Sequence, residues 1–322
     1  MKRHKKNSLL IGKLVLLILG ILTTVMVTGC ASPEEAEEKD TGKAAEAARE
    51  DVQEESESGS SGQINASGLR ERERGRTSVT MADLLKESGN GDKTKDEVRL
   101  PDTVLWFNAT YAVLTYSNGC DWRLVSGFER TEENVDIIKA VLWRDWNVLD
   151  RESAIETVDN LVMQGHREKC RECMEQLEEW KLLDLGEIEF LEKILEMDVD
   201  ENLARYVIAY YMHQNGIEPE YMAAWDLCRV NQLYAYYYMC GFMDYEEAMD
   251  ASLGNSLILQ EKYESWEEMM DAYMLGYQFW KGDLILTEDS PAQERYHYYE
   301  MLRDREDNPY TLEWKMKLEK SW

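Results

Sequence analysis

The chain has 322 residues, with 64 Asp plus Glu against 36 Lys plus Arg and a formal net charge of −28. That balance argues against a nucleic-acid partner, because phosphate contacts need clustered Lys and Arg on a positive surface. Its 10 Trp, 18 Tyr and 5 Phe all lie between Trp106 and Trp322, so only the last two thirds of the chain can build a core.

Lys2, Arg3, Lys5 and Lys6 form a positive start, and an aliphatic run follows from Leu9 to Val27, interrupted by Lys13 alone among charged residues. The run ends in Val27-Thr28-Gly29-Cys30. This segment resembles the bacterial lipobox, which implies that residues 1–29 are a lipoprotein signal peptide, cleaved before Cys30 after a diacylglycerol is transferred to its thiol. The alternative is an uncleaved membrane helix, since about 18 apolar residues can just span a bilayer. Both readings place the remainder on the extracytoplasmic face of the cell membrane. Loss of the leader, with its five Lys and Arg and no acid, takes the charge from −28 to −33. Ser32, rather than Asp, follows Cys30 at the second position, which favours the outer membrane if the cell has two.

Residues 30–100 read as a lipidated Cys and a disordered tether of acidic and mixed charge. Glu, Lys, Ala, Ser, Gly and Arg cannot bury enough apolar surface to offset the entropy of ordering. Glu34 to Glu57 is acidic, whereas Arg70, Arg72, Arg74 and Arg76 alternate with Glu71 and Glu73. That Arg cluster is either a contact with anionic lipid or wall polymer or a solvated linker. Met81-Ala82-Asp83-Leu84-Leu85 can make one or two helical turns. A flexible chain of this length reaches about 45 Å, at roughly 5 to 6 Å times the square root of its length.

From Leu100 onward the pattern is helical almost throughout, and residues 101–322 read as a single all-α globular domain. Thr131-Glu132-Glu133 opens a helix to about Trp146. Asp150 caps the next, Arg151 to Gln164, and Gly165 closes it in a left-handed conformation. Further helices are expected over Arg167 to Lys181, Glu187 to Glu196, Asp200 to Gln214, Pro219 to Cys240, Asp244 to Tyr263 and Ser265 to Lys281. Ser290-Pro291 starts a last one, to about Asp304. Asp121 to Phe128 is the best strand candidate. In the Ser265 helix, Trp266, Met270, Tyr273, Tyr277 and Trp280 share one face, expected to pack in the core, with an aromatic ligand groove as the alternative.

Several segments together resemble a bacterial family known only as domain of unknown function 1266. They are Trp143-Arg144-Asp145-Trp146-Asn147-Val148 running on to Gly165-His166-Arg167; Ala224-Trp225-Asp226-Leu227-Cys228-Arg229 with Gly241 beyond; Ser265-Trp266-Glu267-Glu268 followed by Tyr273, Gly276 and Phe279-Trp280; and Asn308-Pro309-Tyr310 with Trp314. Cys228 stands where the family commonly has a small residue. The resemblance implies an α-helical fold and no established activity.

Asp226 and Arg229, three apart on a helix, can meet on one face. The pair is either a structural ion pair or a general base with an arginine orienting an anionic group; pairing lowers the carboxyl pKa and makes it a poorer base. His166, at a helix junction, is either a general acid or base or a packing hydrogen bond. Asp226, Arg229 and His166 are therefore the catalytic candidates, and Cys30 is the lipidation site. Glu294-Arg295-Tyr296-His297 has a metal-helix spacing, but no second copy exists. Cys170 and Cys173 have no second Cys pair to complete a zinc site and read as reduced or partly buried thiols, with a disulfide as the alternative. No nucleophile elbow, phosphate loop or dinucleotide fingerprint is present, and no metal or cofactor is expected. Residues 101–322 carry 46 acids and 20 bases. The chain thus reads as an acidic helical interaction module, anchored to the membrane through lipid on Cys30, whose partner is a basic envelope protein or cationic polymer. The alternative is an envelope hydrolase or transferase using Asp226 and His166, with Glu267 or Glu268 nearby.

Overall fold

The computed structural model describes residues 99–197, 199, 202–284 and 289–322. The leader, Cys30, the Arg cluster and the Met81 segment lie outside the described residues. Eleven α-helices and no strand occur among those that are described: α1 Asp102–Thr110, α2 Ala112–Ser117, α3 Glu132–Trp146, α4 Arg151–Met163, α5 Gly165–Glu179, α6 Glu187–Leu195, α7 Leu203–Gln214, α8 Ala223–Cys240, α9 Tyr245–Lys262, α10 Trp266–Lys281 and α11 Pro291–Arg303. None is long and apolar enough to cross a membrane. The all-α reading of residues 101–322 holds.

Helix starts follow from side chains that bond the free N–H groups of a first turn. Thr131, Asp150, Asp244, Ser265 and Ser290 each accept a backbone N–H three residues on, opening α3, α4, α9, α10 and α11. Asp150 and Ser153 complete a reciprocal capping box. Pro219 starts a short 3₁₀ turn, Pro219–Met222, that leads into α8.

Helix α8 is the axis of the fold. It packs against α9, α10, α4, α3, α1 and α5, and its residues from Ala223 to Leu233 are all buried. A helix enclosed on every side cannot place its polar residues in water, so each needs a partner inside. Asn231 donates to the hydroxyls of Thr110 and Ser256, and Asn255 donates to the Leu227 carbonyl and to Asn231 Oδ1. These bonds tie α8 to α1 and α9. Against α10 the approach is closer: a Cβ on Gly276 would fall 2.4 Å from Trp225 Cβ.

The C-terminal segment completes the core. Trp106, Trp266 and Trp314 form a triangle of indoles with centroids 4.7–5.0 Å apart. Trp266 Nε1 donates to Leu312 O and Trp314 Nε1 to Tyr263 O, each at 2.7 Å, so two large apolar rings are buried without orphaned donors.

Two expectations are corrected. Asp121 to Phe128 is not a strand: Ser126 and Gly127 have φ of 69° and 85°, which curls the chain into a 3₁₀ turn, Val125–Gly127. In α10, Trp266, Met270, Tyr273 and Tyr277 are buried as expected, but Trp280 is 39% exposed, because the stripe reaches the surface at the helix end.

Candidate functional site

Asp226 lies in the first turn of α8, 0% exposed. Desolvating a carboxylate is costly unless its oxygens are hydrogen-bonded and its charge is paired. The start of α5 supplies most of what is needed. The His166 backbone N–H donates to Oδ2 at 3.1 Å, Arg167 Nη1 donates to Oδ2 at 2.9 Å, and His166 Nδ1 lies 2.8 Å from Oδ1. Arg229, one turn along α8, donates from Nη2 to Oδ1 at 3.2 Å.

The ring tautomer follows from these contacts. A carboxylate oxygen at 2.8 Å has only lone pairs to offer, so Nδ1 carries the proton and donates it. Arg229 Nη2 is also 3.1 Å from Nδ1, but a protonated ring nitrogen cannot accept, and the arginine hydrogen goes to Oδ1.

Gly165 makes the close approach possible. Its φ is +55°, and a Cβ there would fall 2.2 Å from Asp226 Oδ2. It does have the left-handed conformation expected of it, but it is the first residue of α5 as well as the break after α4. Bare backbone at this position lets the carboxylate sit over the helix start, where free N–H groups favour an anion.

The two arginines are themselves tied in. Arg167, 3% exposed, donates to the Leu161 and Val162 carbonyls in the last turn of α4 at 3.3 and 2.8 Å, and its Nε is 3.2 Å from Glu220 Oε2. Arg229 lies between two indoles, its Cζ 4.2 Å from the Trp225 centroid and 5.0 Å from that of Trp146 at the end of α3. Burial pulls the Arg229 pKa below the usual arginine value, and Asp226 works against that shift. One carboxylate therefore joins α3, α4, α5 and α8.

The structure brings all three catalytic candidates together. Asp226 has both oxygens engaged by protein donors and no exposed surface, so it cannot take a proton from a substrate. The His166 side chain is 28% exposed, and its contact with Asp226 fixes the ring. Glu267 and Glu268 serve elsewhere: Glu267 pairs with Arg303 at 3.4 Å, and Glu268 accepts from Glu264 N at the start of α10. Sequence reasoning missed the role of Arg167, which a charged residue directly after a Gly-His junction could have signalled.

All five described cysteines are free. Cys170 and Cys173 are buried on α5, with Cys170 Sγ 3.8 Å from Met212 Sδ. Burial pushes their thiols up to about 12 and about 11, so they pack as small apolar groups. No His, Cys, Asp and Glu cluster among the described residues could hold a metal ion. Glu294 accepts from the Tyr298 hydroxyl, and His297 is 3.9 Å from Glu300. A separate groove of about 550 Å³ is lined by Glu175, Glu178, Asp184, Glu218 and Glu220, with Arg171 and Lys181 as its cations and Met174, Leu183 and Pro219 as apolar lining.

Residues 141–314, just over half of the chain, match the model of a family described as protein of unknown function (DUF1266), and the chain belongs to that family. The Asp226 cluster lies wholly inside the matched segment. No curated protein and no solved structure matches the chain.

Proposed function

We propose that this protein is a lipid-anchored, extracytoplasmic interaction module whose acidic helical body binds a basic protein or cationic polymer of the envelope. The observation that carries the reading is the enclosure of Asp226, which makes its cluster a brace for four helices. The domain's other acids are largely at the surface, and the acidic groove is lined by carboxylates together with Met174, Leu183 and Pro219, which suits the charge and stem of Lys or Arg side chains.

The test uses the full mature chain and an oligolysine peptide at low salt. Saturable binding that weakens with added salt and falls in Glu175→Gln/Glu178→Gln/Glu218→Gln supports the reading; no binding at low salt overturns it. The anchor is tested separately. Cys30→Ala should move the protein out of the detergent phase, and unchanged partitioning would mean that the hydrophobic run is a plain membrane helix.

A second reading, an envelope hydrolase or transferase, is favoured by one observation. Asp226 holds the proton on His166 Nδ1, which leaves Nε2 as the basic nitrogen of a partly exposed ring. Turnover of an envelope-type ester or amide that disappears in a folded His166→Asn chain would establish it, and turnover unchanged by that substitution would remove His166 from it.

A further inference from the structure

The acidic groove is not uniform along its length. Arg171, Met174, Glu175 and Glu178 recur at helical spacing on α5 and Lys181 follows its last turn, so these groups succeed one another along about 15 Å at 1.5 Å per residue. At the Arg171 end the charges are already paired. Glu220 accepts from Arg171 Nη1 at 2.8 Å and lies 3.2 Å from Arg167 Nε and 3.7 Å from Lys262 Nζ. Glu175, Glu178, Asp184 and Glu218 form no ion pair among the described residues, and neither does Lys181. The unpaired part of the groove is therefore dipolar, with carboxylates along α5 and one ammonium just beyond the helix end.

Lys181 stands where the backbone favours glycine. Its N–H donates to the Glu178 carbonyl and the Leu182 N–H to the Leu177 carbonyl, each at 2.9 Å, and its φ is 59°. These are the paired bonds that close a helix through one left-handed residue. That conformation crowds the Cβ of an L-residue and leaves glycine unstrained. The residue present instead puts an ammonium on the groove, three positions from Glu178.

A ligand that is only cationic matches the carboxylates and is repelled by Lys181. A ligand that suits both carries positive charge and, a short spacer away, negative charge. The C-terminal residue of a basic chain has this form: a Lys or Arg side chain holds its charge at the tip of an aliphatic stem, and the same residue carries the terminal carboxylate. Met174, Leu183 and Pro219 are the apolar lining for that stem. The groove volume of about 550 Å³ lies within the roughly 300 to 1,000 Å³ of pockets that enclose small ligands.

We propose that the groove binds the C-terminal end of a basic peptide or protein, with the last Lys or Arg side chain on Glu175, Glu178 and Glu218 and the terminal carboxylate on Lys181. This rests on the reading of the groove as a site for basic ligands, and adds to it which end of the chain enters.

The test compares two N-acetylated trilysine peptides, one ending in a free carboxylate and one in an amide, by calorimetric titration of the full chain at low ionic strength, where screening is weak. The amide carries one more net positive charge, so attraction to an acidic body alone makes it the tighter ligand. The expected result is the reverse. The free carboxylate binds about threefold or more tightly than the amide, the size of an exposed ion pair, and in Lys181→Gly that preference is lost while the amide binds at least as well. Lys181→Gly places the favoured residue at a left-handed position, so it should fold with an unfolding temperature no lower than that of the unsubstituted chain. Amide binding as tight as that of the free carboxylate or tighter, or a carboxylate preference that survives in Lys181→Gly, overturns the inference and leaves the basic-ligand reading standing. Binding of neither peptide overturns both.

Discussion

Asp226 and Arg295 are charges of opposite sign in one helical core, and they are compensated in different ways. Asp226 accepts from two guanidiniums, a ring N–H and a backbone N–H. Arg295 has tyrosine hydroxyls and a tyrosine face but no described carboxylate. The difference is one of dependence: Asp226 is the counter-charge of two buried arginines, whereas no described carboxylate relies on Arg295. Burying an ion pair gains little net stability, but removing one partner leaves the other stranded. The comparison therefore predicts that the two sites respond unequally to substitution.

The largest effect is expected at the closed site. Asp226→Asn leaves Arg229 buried without a counter-ion and Arg167 with the exposed Glu220 alone, and should lower the unfolding free energy by about 3 to 5 kcal/mol, measured by urea denaturation of the full chain. Next comes Gly165→Ala. The left-handed backbone alone makes this cost about 1 to 3 kcal/mol, and the new methyl displaces Asp226, so His166 should lose its ring contact as well, visible as a shift of its imidazole resonances. Trp146→Leu removes one of the two faces around Arg229 and should cost about 0.5 to 2 kcal/mol in the same denaturation. The smallest change is expected at Arg295. Arg295→Gln removes a charge that has no described ion-pair partner and its contact with the Tyr277 face, while keeping a donor for the Tyr273 hydroxyl, and it should shift stability by about 1 kcal/mol or less. A loss there as large as that of Asp226→Asn would erase the distinction between the two sites.

The two sites also differed in how far they could be read from the sequence. Asp226 and Arg229 were legible as a pair because a helix places residues three apart on one face. His166 was singled out by its junction, but its meeting with Asp226 depends on packing across 60 positions, which no local pattern encodes. Gly165 was legible as a helix break; its second role, bare backbone against a carboxylate, exists only after α5 and α8 meet. Arg295 was hidden because the Glu294-Arg295-Tyr296-His297 spacing draws attention to its Glu and His, and only the packing of α11 on α10 sets Arg295 over Tyr277. Caps such as Thr131, Asp150, Ser265 and Ser290 act within four residues, so the helix starts they specify were readable. The Asp121 to Phe128 segment was misread because its apolar residues suit a strand while Ser126 takes a conformation that side-chain pattern does not reveal.

The most direct test of the account is a double-mutant cycle between Asp226 and Arg167 in the full chain, using Asp226→Asn, Arg167→Met and the combination, with unfolding free energies from urea denaturation. If the cluster is a brace built on one shared carboxylate, each single change is strongly destabilising and the double change costs clearly less than their sum. Strictly additive losses, or a stable Asp226→Asn chain, would contradict it.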